Sequence, residues 1–162
     1  MKTSMPILQG SDTPFSYKRR VRWGECDPAG VVYTPRFTDF VIEAFNDFLQ
    51  WLLEAPLQPR LADLDLGTPA KAVSMVFHKS LWPDDLFEIV VHVGEIRTRS
   101  FDLQFIAVGE DREAIFDATL SVICVHQAER RSRAIPDDLR SRLEAYRAQF
   151  PEPPKSPRPA GE

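Results

Sequence analysis

Cysteine is scarce in this sequence, which has only Cys26 and Cys124. With no C-x-x-C pair and no even framework, neither a disulfide scaffold nor a zinc knuckle is supported. The histidines His78, His92 and His126 fall on three separate predicted strands without ligand spacing, which argues against a metal centre. Ser74 and Ser121 lack a Gly-x-Ser-x-Gly context, so neither reads as a hydrolase nucleophile. Met1 to Asp12 has no apolar h-region and no cleavage pattern. The most apolar stretch, Phe37 to Leu53, is broken by Asp39, Glu43, Asn46 and Asp47, which excludes a comfortable membrane span. An excess of positive charge is also missing. The formal net charge of −4 argues against nucleic acid as the main partner. Together these absences point to a cytoplasmic, reducing compartment.

What remains is an ordinary globular composition in 162 residues, enough for one domain that buries roughly two-thirds of its extended surface. The pattern predicts a flexible tail over residues 1–14, a domain over 15–150 and a disordered, proline-rich tail over 151–162. Phe15 to Trp23 reads as a strand with one wet face. Gly24 to Gly30 is rich in turn formers, and Pro35 suits the first turn of a helix. Phe37, Phe40, Val41, Ala44, Phe45, Phe48 and Leu52 then recur at helical spacing, and with Ile42 and Leu49 they cover over half the circumference. Such a helix is expected to be enclosed by other structure.

Ala55 to Pro69 is a connection with one short helical turn. The period then changes to two, through Val73, Met75 and Phe77, then Phe87 to Val93, Phe101 to Phe105 and Phe116 to Cys124. The short links Trp82–Asp85, Arg97–Arg99 and Gly109–Asp111 imply antiparallel neighbours. Pro136 opens a terminal helix through Leu139, Leu143 and Tyr146. One sheet wrapped around one helix satisfies both periods, and the class is α+β.

The segment Trp23-Gly-Glu-Cys-Asp27-Pro-Ala-Gly30-Val-Val-Tyr33-Thr-Pro35 is the most informative in the chain. It puts a carboxylate on a tight turn shortly before a helix start, where free N–H groups favour negative charge. Such a pair can serve acyl transfer, the carboxylate attacking or activating water and the N–H groups stabilising an oxyanion. Taken alone, Asp27-Pro28 reads equally as an Asx turn or a helix cap. Cys26, beside it, has no basic activator.

Asp27 to Pro35 resembles the Asp-Pro-Ala-Gly signature of the 4-hydroxybenzoyl-CoA thioesterase family of hotdog proteins. The likeness continues through Gly67-Thr68-Pro69, Phe77, Pro83-Asp84-Asp85-Leu86 and Arg97-Thr98-Arg99-Ser100-Phe101, and covers roughly Tyr17 to Leu139. The resemblance implies a hotdog fold, a five-stranded antiparallel sheet wrapped around a long central helix. It also implies dimers that pair into tetramers, with sites at subunit interfaces and no metal or organic cofactor. It makes Asp27 the nucleophile or general base of an acyl-CoA thioesterase, and it makes the backbone N–H of Thr34 the donor to the thioester carbonyl. Thr34 departs from the bulkier residue common there, but a backbone role survives the change.

The resemblance also gives Arg97, Arg99 and Ser100 to the phosphates of coenzyme A, a role that suits the planar guanidinium. Tyr33, Ile42 and Glu43 are its expected substrate contacts. Ile42 stands where the hydroxybenzoyl branch has an acidic residue, and Glu43 points about 100° away from it. An unsubstituted aryl or medium-chain acyl group is therefore expected. Two rivals stand beside this reading. An acyl-carrier-protein thioesterase would use the basic residues Arg97, Arg99 and Arg130 to Arg133 for docking. A non-catalytic acyl-CoA-binding protein would not need Asp27. Hotdog hydratases keep a histidine near the acid, and no histidine accompanies Asp27 in the sequence.

Overall fold

The alternating apolar segments form one sheet. A computed structural model describes residues 11–153, so most of the two predicted tails lies outside the described residues. The strands are β1 (Ser16–Arg20), β2 (Ala70–Phe77), β3 (Leu86–Ile96), β4 (Ser100–Gly109) and β5 (Ala114–Ile123). The helices are α1 (Arg36–Leu53), α2 (Leu57–Asp63) and α3 (Asp137–Gln149), with one 3-10 turn at Trp23–Glu25. All strand pairs are antiparallel and the sheet order is β1-β3-β4-β5-β2. The α+β hotdog architecture expected from the sequence is what the chain adopts. Among the described residues no helix is long and apolar enough to cross a membrane.

The core forms where α1 crosses one face of the sheet. Phe37, Phe40, Val41, Ala44, Phe48, Leu49 and Leu52 are buried against inward residues of β3, β4 and β5, among them Phe87, Ile89, Phe101, Phe105 and Phe116. Phe40 meets Phe87 at 5.4 Å between ring centroids and Phe37 meets Phe116 edge-on at 5.5 Å. Each large apolar side chain so buried stabilises the fold by about 1.5–3 kcal/mol. The enclosure of α1 is one-sided, because Arg36, Asp39, Asn46, Asp47 and Gln50 stay exposed. On α3, Tyr146 stacks edge-on against Phe48, donates to the Val91 carbonyl at 2.6 Å and accepts the Phe15 N–H at 2.9 Å.

Three features differ from the sequence reading. The first strand stops at Arg20, and Trp23 to Glu25 turns as a 3-10 helix. The link at Trp82–Asp85 does not join neighbours, since β2 pairs with β5 at the far edge of the sheet. Only the link's four turn residues stood out in the sequence. The whole connection, 78–85, reaches roughly 26 Å when extended, against about 14 Å for three inter-strand steps. The alternation in β2 also buries its face only in part, with Phe77 against Phe37 and Met75 half-buried against the core. Val73, Val76 and Phe77 are 46%, 48% and 47% exposed.

Candidate active site

Asp27 sits on a turn closed by three backbone bonds. The Asp27 N–H donates to Val31 O at 3.0 Å, the Gly30 N–H donates to Asp27 O at 2.9 Å, and the Val32 N–H reaches Leu81 O at 2.8 Å. Gly30 takes φ +85°, a conformation in which a Cβ is strained, so glycine is required by the turn itself. The Asp27 Oδ1 accepts the Ala29 N–H at 2.8 Å, and Asp27 is only partly buried. The Asx turn is therefore real, and it leaves Oδ2 to the adjoining space.

That space is an open cleft of about 310 Å³ between the Asp27 turn, the start of α1 and the end of β2. Its walls include Asp27, Thr34, Phe37, Phe77 and His78. At the helix start, the N–H groups of Arg36, Phe37 and Thr38 are taken by the carbonyls of Tyr33, Thr34 and Pro35. Pro35 has no N–H. The Thr34 N–H is left without an acceptor among the described residues. Of the several free donors expected at this helix start, it is the unspent one whose residue lines the cleft. A larger groove, about 820 Å³, opens between β1 and the C-terminal half of α1, but neither Asp27 nor Thr34 lines it, so size alone does not locate the chemistry.

The expected substrate contacts separate. Ile42 is half-buried on α1, one turn beyond Thr38, whose Oγ1 lies 3.8 Å from Met75 Sδ. It thus faces the gap between α1 and β2. The Tyr33 ring is exposed, while its N–H is bound to Glu25 O at 2.9 Å. Glu43 turns to β1, accepting from the Tyr17 hydroxyl at 2.7 Å and from Arg19 Nε at 3.0 Å.

The Arg97 to Ser100 turn is at the other end of the sheet. Arg97 makes a two-pronged contact with Asp102, at 2.9 and 2.7 Å, and a third to Glu95 at 2.8 Å. The Arg97 guanidinium holds the Asp102 carboxyl below its ordinary range. Arg99 donates to Ser132 Oγ at 2.8 Å and forms no carboxylate pair among the described residues. Ser100 opens β4, and its carbonyl accepts the Arg97 N–H.

His78 went unnoticed as a wall of the Asp27 cleft, because nothing in local spacing links position 78 to position 27. It lines the cleft, and its Nε2 lies 2.9 Å from Asp117 Oδ2. Phe77 packs on Phe37, as Phe116 does, so alternation along β2 and β5 puts the His78–Asp117 pair on the sheet face away from α1. His78 thus lines the cleft, but its imidazole is directed at Asp117, and among the described residues no hydrogen bond joins it to Asp27. Burial, with the carboxylates of Glu25 and Asp27, pushes the Cys26 thiol up, away from nucleophilic use.

Comparison with known proteins matches residues 21–143 to the thioesterase-like superfamily. A 1,4-dihydroxy-2-naphthoyl-CoA hydrolase of Thermosynechococcus vestitus is 27% identical over 123 residues, which are 76% of this chain and 84% of the relative. A Staphylococcus aureus protein solved in complex with CoA superposes with TM-score 0.82 at 14% identity, over 89% of this chain and 90% of that one. The 4-hydroxybenzoyl-CoA thioesterase of Pseudomonas sp. strain CBS-3 superposes with TM-score 0.72 at 20% identity, over 80% of this chain and 99% of that one. At these identities the two structures speak for the fold.

Proposed function

The chain belongs to the thioesterase-like superfamily, and on that premise we propose that it hydrolyses an aryl- or medium-chain acyl-CoA to the free acid and CoA. The observation that carries this reading is one cleft shared by two complementary groups. These are a carboxylate with one oxygen uncommitted, on Asp27, and a backbone donor without a partner among the described residues, on Thr34. The Thr34 N–H polarises the thioester carbonyl and takes up the charge that develops on its oxygen. Asp27 removes a proton from water as the new C–O bond forms, or attacks the carbonyl itself and is freed by hydrolysis of the mixed anhydride. In either route the C–S bond breaks, the CoA thiolate leaves and gains a proton, and the acid is released.

The site is completed by a second copy of the chain. The Asp27 cleft adjoins the start of β3 and the arginine turn follows its end. Eleven residues of strand, roughly 35 Å, lie between. A nucleotide held by Arg99 is thus supplied by a different subunit from the Asp27 that meets its thioester. The unpaired β2 edge, with Val73, Val76 and Phe77 exposed, supports pairing of two such edges in a dimer, or in a dimer of dimers.

Ile42 supports an acyl group without a ring hydroxyl, since a buried hydroxyl facing it lacks an acceptor at a cost of about 1–3 kcal/mol. Thiol release from a panel of acyl-CoA esters, with an acyl-carrier-protein ester included, tests the whole reading. Turnover of benzoyl-CoA or a medium-chain ester at least equal to that of 4-hydroxybenzoyl-CoA is expected. Replacing Ile42 by Asp then shifts preference towards the hydroxylated ring. No thiol release from any ester excludes the reading, and release from the carrier-protein ester alone moves it to that substrate.

A further inference from the structure

We infer that Arg19 is the positioning residue of this site, fixing through Glu25 the turn that carries Asp27. The inference rests on the thioesterase reading for its kinetic arm only. Arg19 Nη1 donates to Glu25 Oε2 at 2.7 Å, Nη2 donates to Glu25 Oε1, and Nε donates to Glu43 Oε2 at 3.0 Å. The guanidinium lies over the Phe40 ring, 4.3 Å from its centroid. One side chain of β1 thus holds the turn on one side and α1 on two others. It is desolvated, the Arg19 and Glu25 side chains being 10% and 12% exposed.

Glu25 passes this anchoring on. Its Oε2 also accepts the Arg22 N–H at 2.8 Å, its own N–H donates to Arg22 O, and its carbonyl accepts the Tyr33 N–H. The segment 26–33 leaves from Glu25 and returns to it, and Asp27 is two residues along. The Arg19 guanidinium holds the Glu25 carboxyl below the ordinary range, so the three bonds to that carboxylate, two from Arg19 and one from the Arg22 N–H, are charge-assisted near neutral pH.

A cluster of this kind is a poor investment in stability alone. Desolvating the charges costs about as much as their attraction returns, and apolar residues of like volume often serve the fold as well. What apolar residues cannot supply is the directional two-pronged contact that sets where a turn sits. Positioning matters because a shift of about 1 Å at a reacting group can cost about a hundredfold in rate.

The test replaces the cluster by Arg19→Met, Glu25→Leu and Glu43→Leu together, with Glu25→Gln alone as the milder variant. It reads Tm, kcat, KM and amide hydrogen exchange. Positioning gives a kcat lower by about ten- to a hundredfold, a KM within about twofold and a Tm near that of wild type. It also gives faster exchange confined to residues 26–33, and Arg19→Lys recovers part of the lost rate. Unchanged kcat overturns the inference. So does a rate loss that follows a fall in Tm with exchange accelerated across β3, β4 and β5. Should the triple variant fail to fold, Glu25→Gln is judged on the same readouts. Should the wild type release thiol from no ester, it is the proposed function that fails, and the exchange pattern alone decides for or against Arg19.

Discussion

Ala29 donates its N–H to the Asp27 carboxylate at 2.8 Å, two residues along the chain. The turn and the Asp27 carboxylate are therefore one device, because the bond that makes the Asx turn also fixes the carboxylate that lines the cleft. Asparagine can accept that bond through its amide oxygen. We expect Asp27→Asn to fold with a Tm within about 2 °C of wild type yet to hydrolyse acyl-CoA at least ~10²-fold more slowly. Asp27→Ala, which loses the bond as well, should be less stable by about 1 kcal/mol. Thermal melts and thiol-release kinetics on the two variants check both statements.

The arginines of the β3–β4 turn should behave differently from one another. Arg97 is spent on Asp102 and Glu95, whereas among the described residues the Arg99 side chain holds the Ser132 hydroxyl and no carboxylate. Arg99→Ala should raise KM for CoA esters about tenfold or more with kcat little changed, the value of one charge-assisted contact. Arg97→Ala should act mainly on Tm. A phosphate-free pantetheine ester should not show the KM effect of Arg99→Ala, and an equal loss on both esters would remove the nucleotide from this turn.

Mixing subunits tests the shared site. In a hybrid of Asp27→Asn and Arg99→Ala chains, one site carries both defects and the other carries neither. Refolding equal amounts together should restore activity well above the mean of the two parents, measured at substrate concentrations below the wild-type KM. Activity that stays at the mean means that each chain completes its own site.

Gly30 holds φ +85°, and a Cβ built there meets only Trp82, at an ordinary 3.6 Å. Space is available and the backbone conformation is the obstacle. Gly30→Ala should cost about 1 kcal/mol or somewhat more and lower kcat through the Asp27 turn. Chemical denaturation gives the first quantity, and a cost near zero would mean that the turn relaxes.

The Tyr17 phenol, pushed up to about 12 by burial and then by its hydrogen bond to Glu43, gives an alkaline prediction. A folded-state pKa above the ordinary value of 10.0 means stability that is complete below pH 10 and lost as pH rises through about 12. Tyr17→Phe should lower stability by about 1 kcal/mol at neutral pH and fall less steeply than wild type between pH 10 and 12. Denaturant midpoints across that range decide it, and parallel curves would mean that Tyr17 is not linked to folding there.

Much of the fold was legible because burial imposes a period. Phe87, Ile89, Val91 and Val93 alternate where one face is covered, and the helix from Arg36 follows the apolar spacing and Pro35 closely. Strand order was not legible. The alternation of Val73, Met75 and Phe77 says that β2 is a strand but not which strand it meets, and its period reports a face that α1 covers only in part. At the site, Asp27 and Thr34 were legible because they lie on one short motif. Glu43 was not, since its role depends on Arg19 and Tyr17 from a strand more than twenty residues earlier. His78 was hidden for the same reason, being brought to the cleft by pairings far along the chain.

The crossover of β2 to β5 also sets a timetable. During synthesis β2 emerges before β3, β4 and its own partner β5, and until β5 arrives its apolar side chains have no strand to pair with. Sheet completion therefore depends on non-local contacts, β2 with β5 and, further apart still, β1 with β3, which form slowly and leave an edge open to aggregation in the interval. Phe77 and His78, at the end of β2, wall the Asp27 cleft. The cleft is accordingly held in full only once β5 has paired with β2, and a nascent chain halted before β5 carries the whole Asp27 motif without the strand that braces the cleft's far wall.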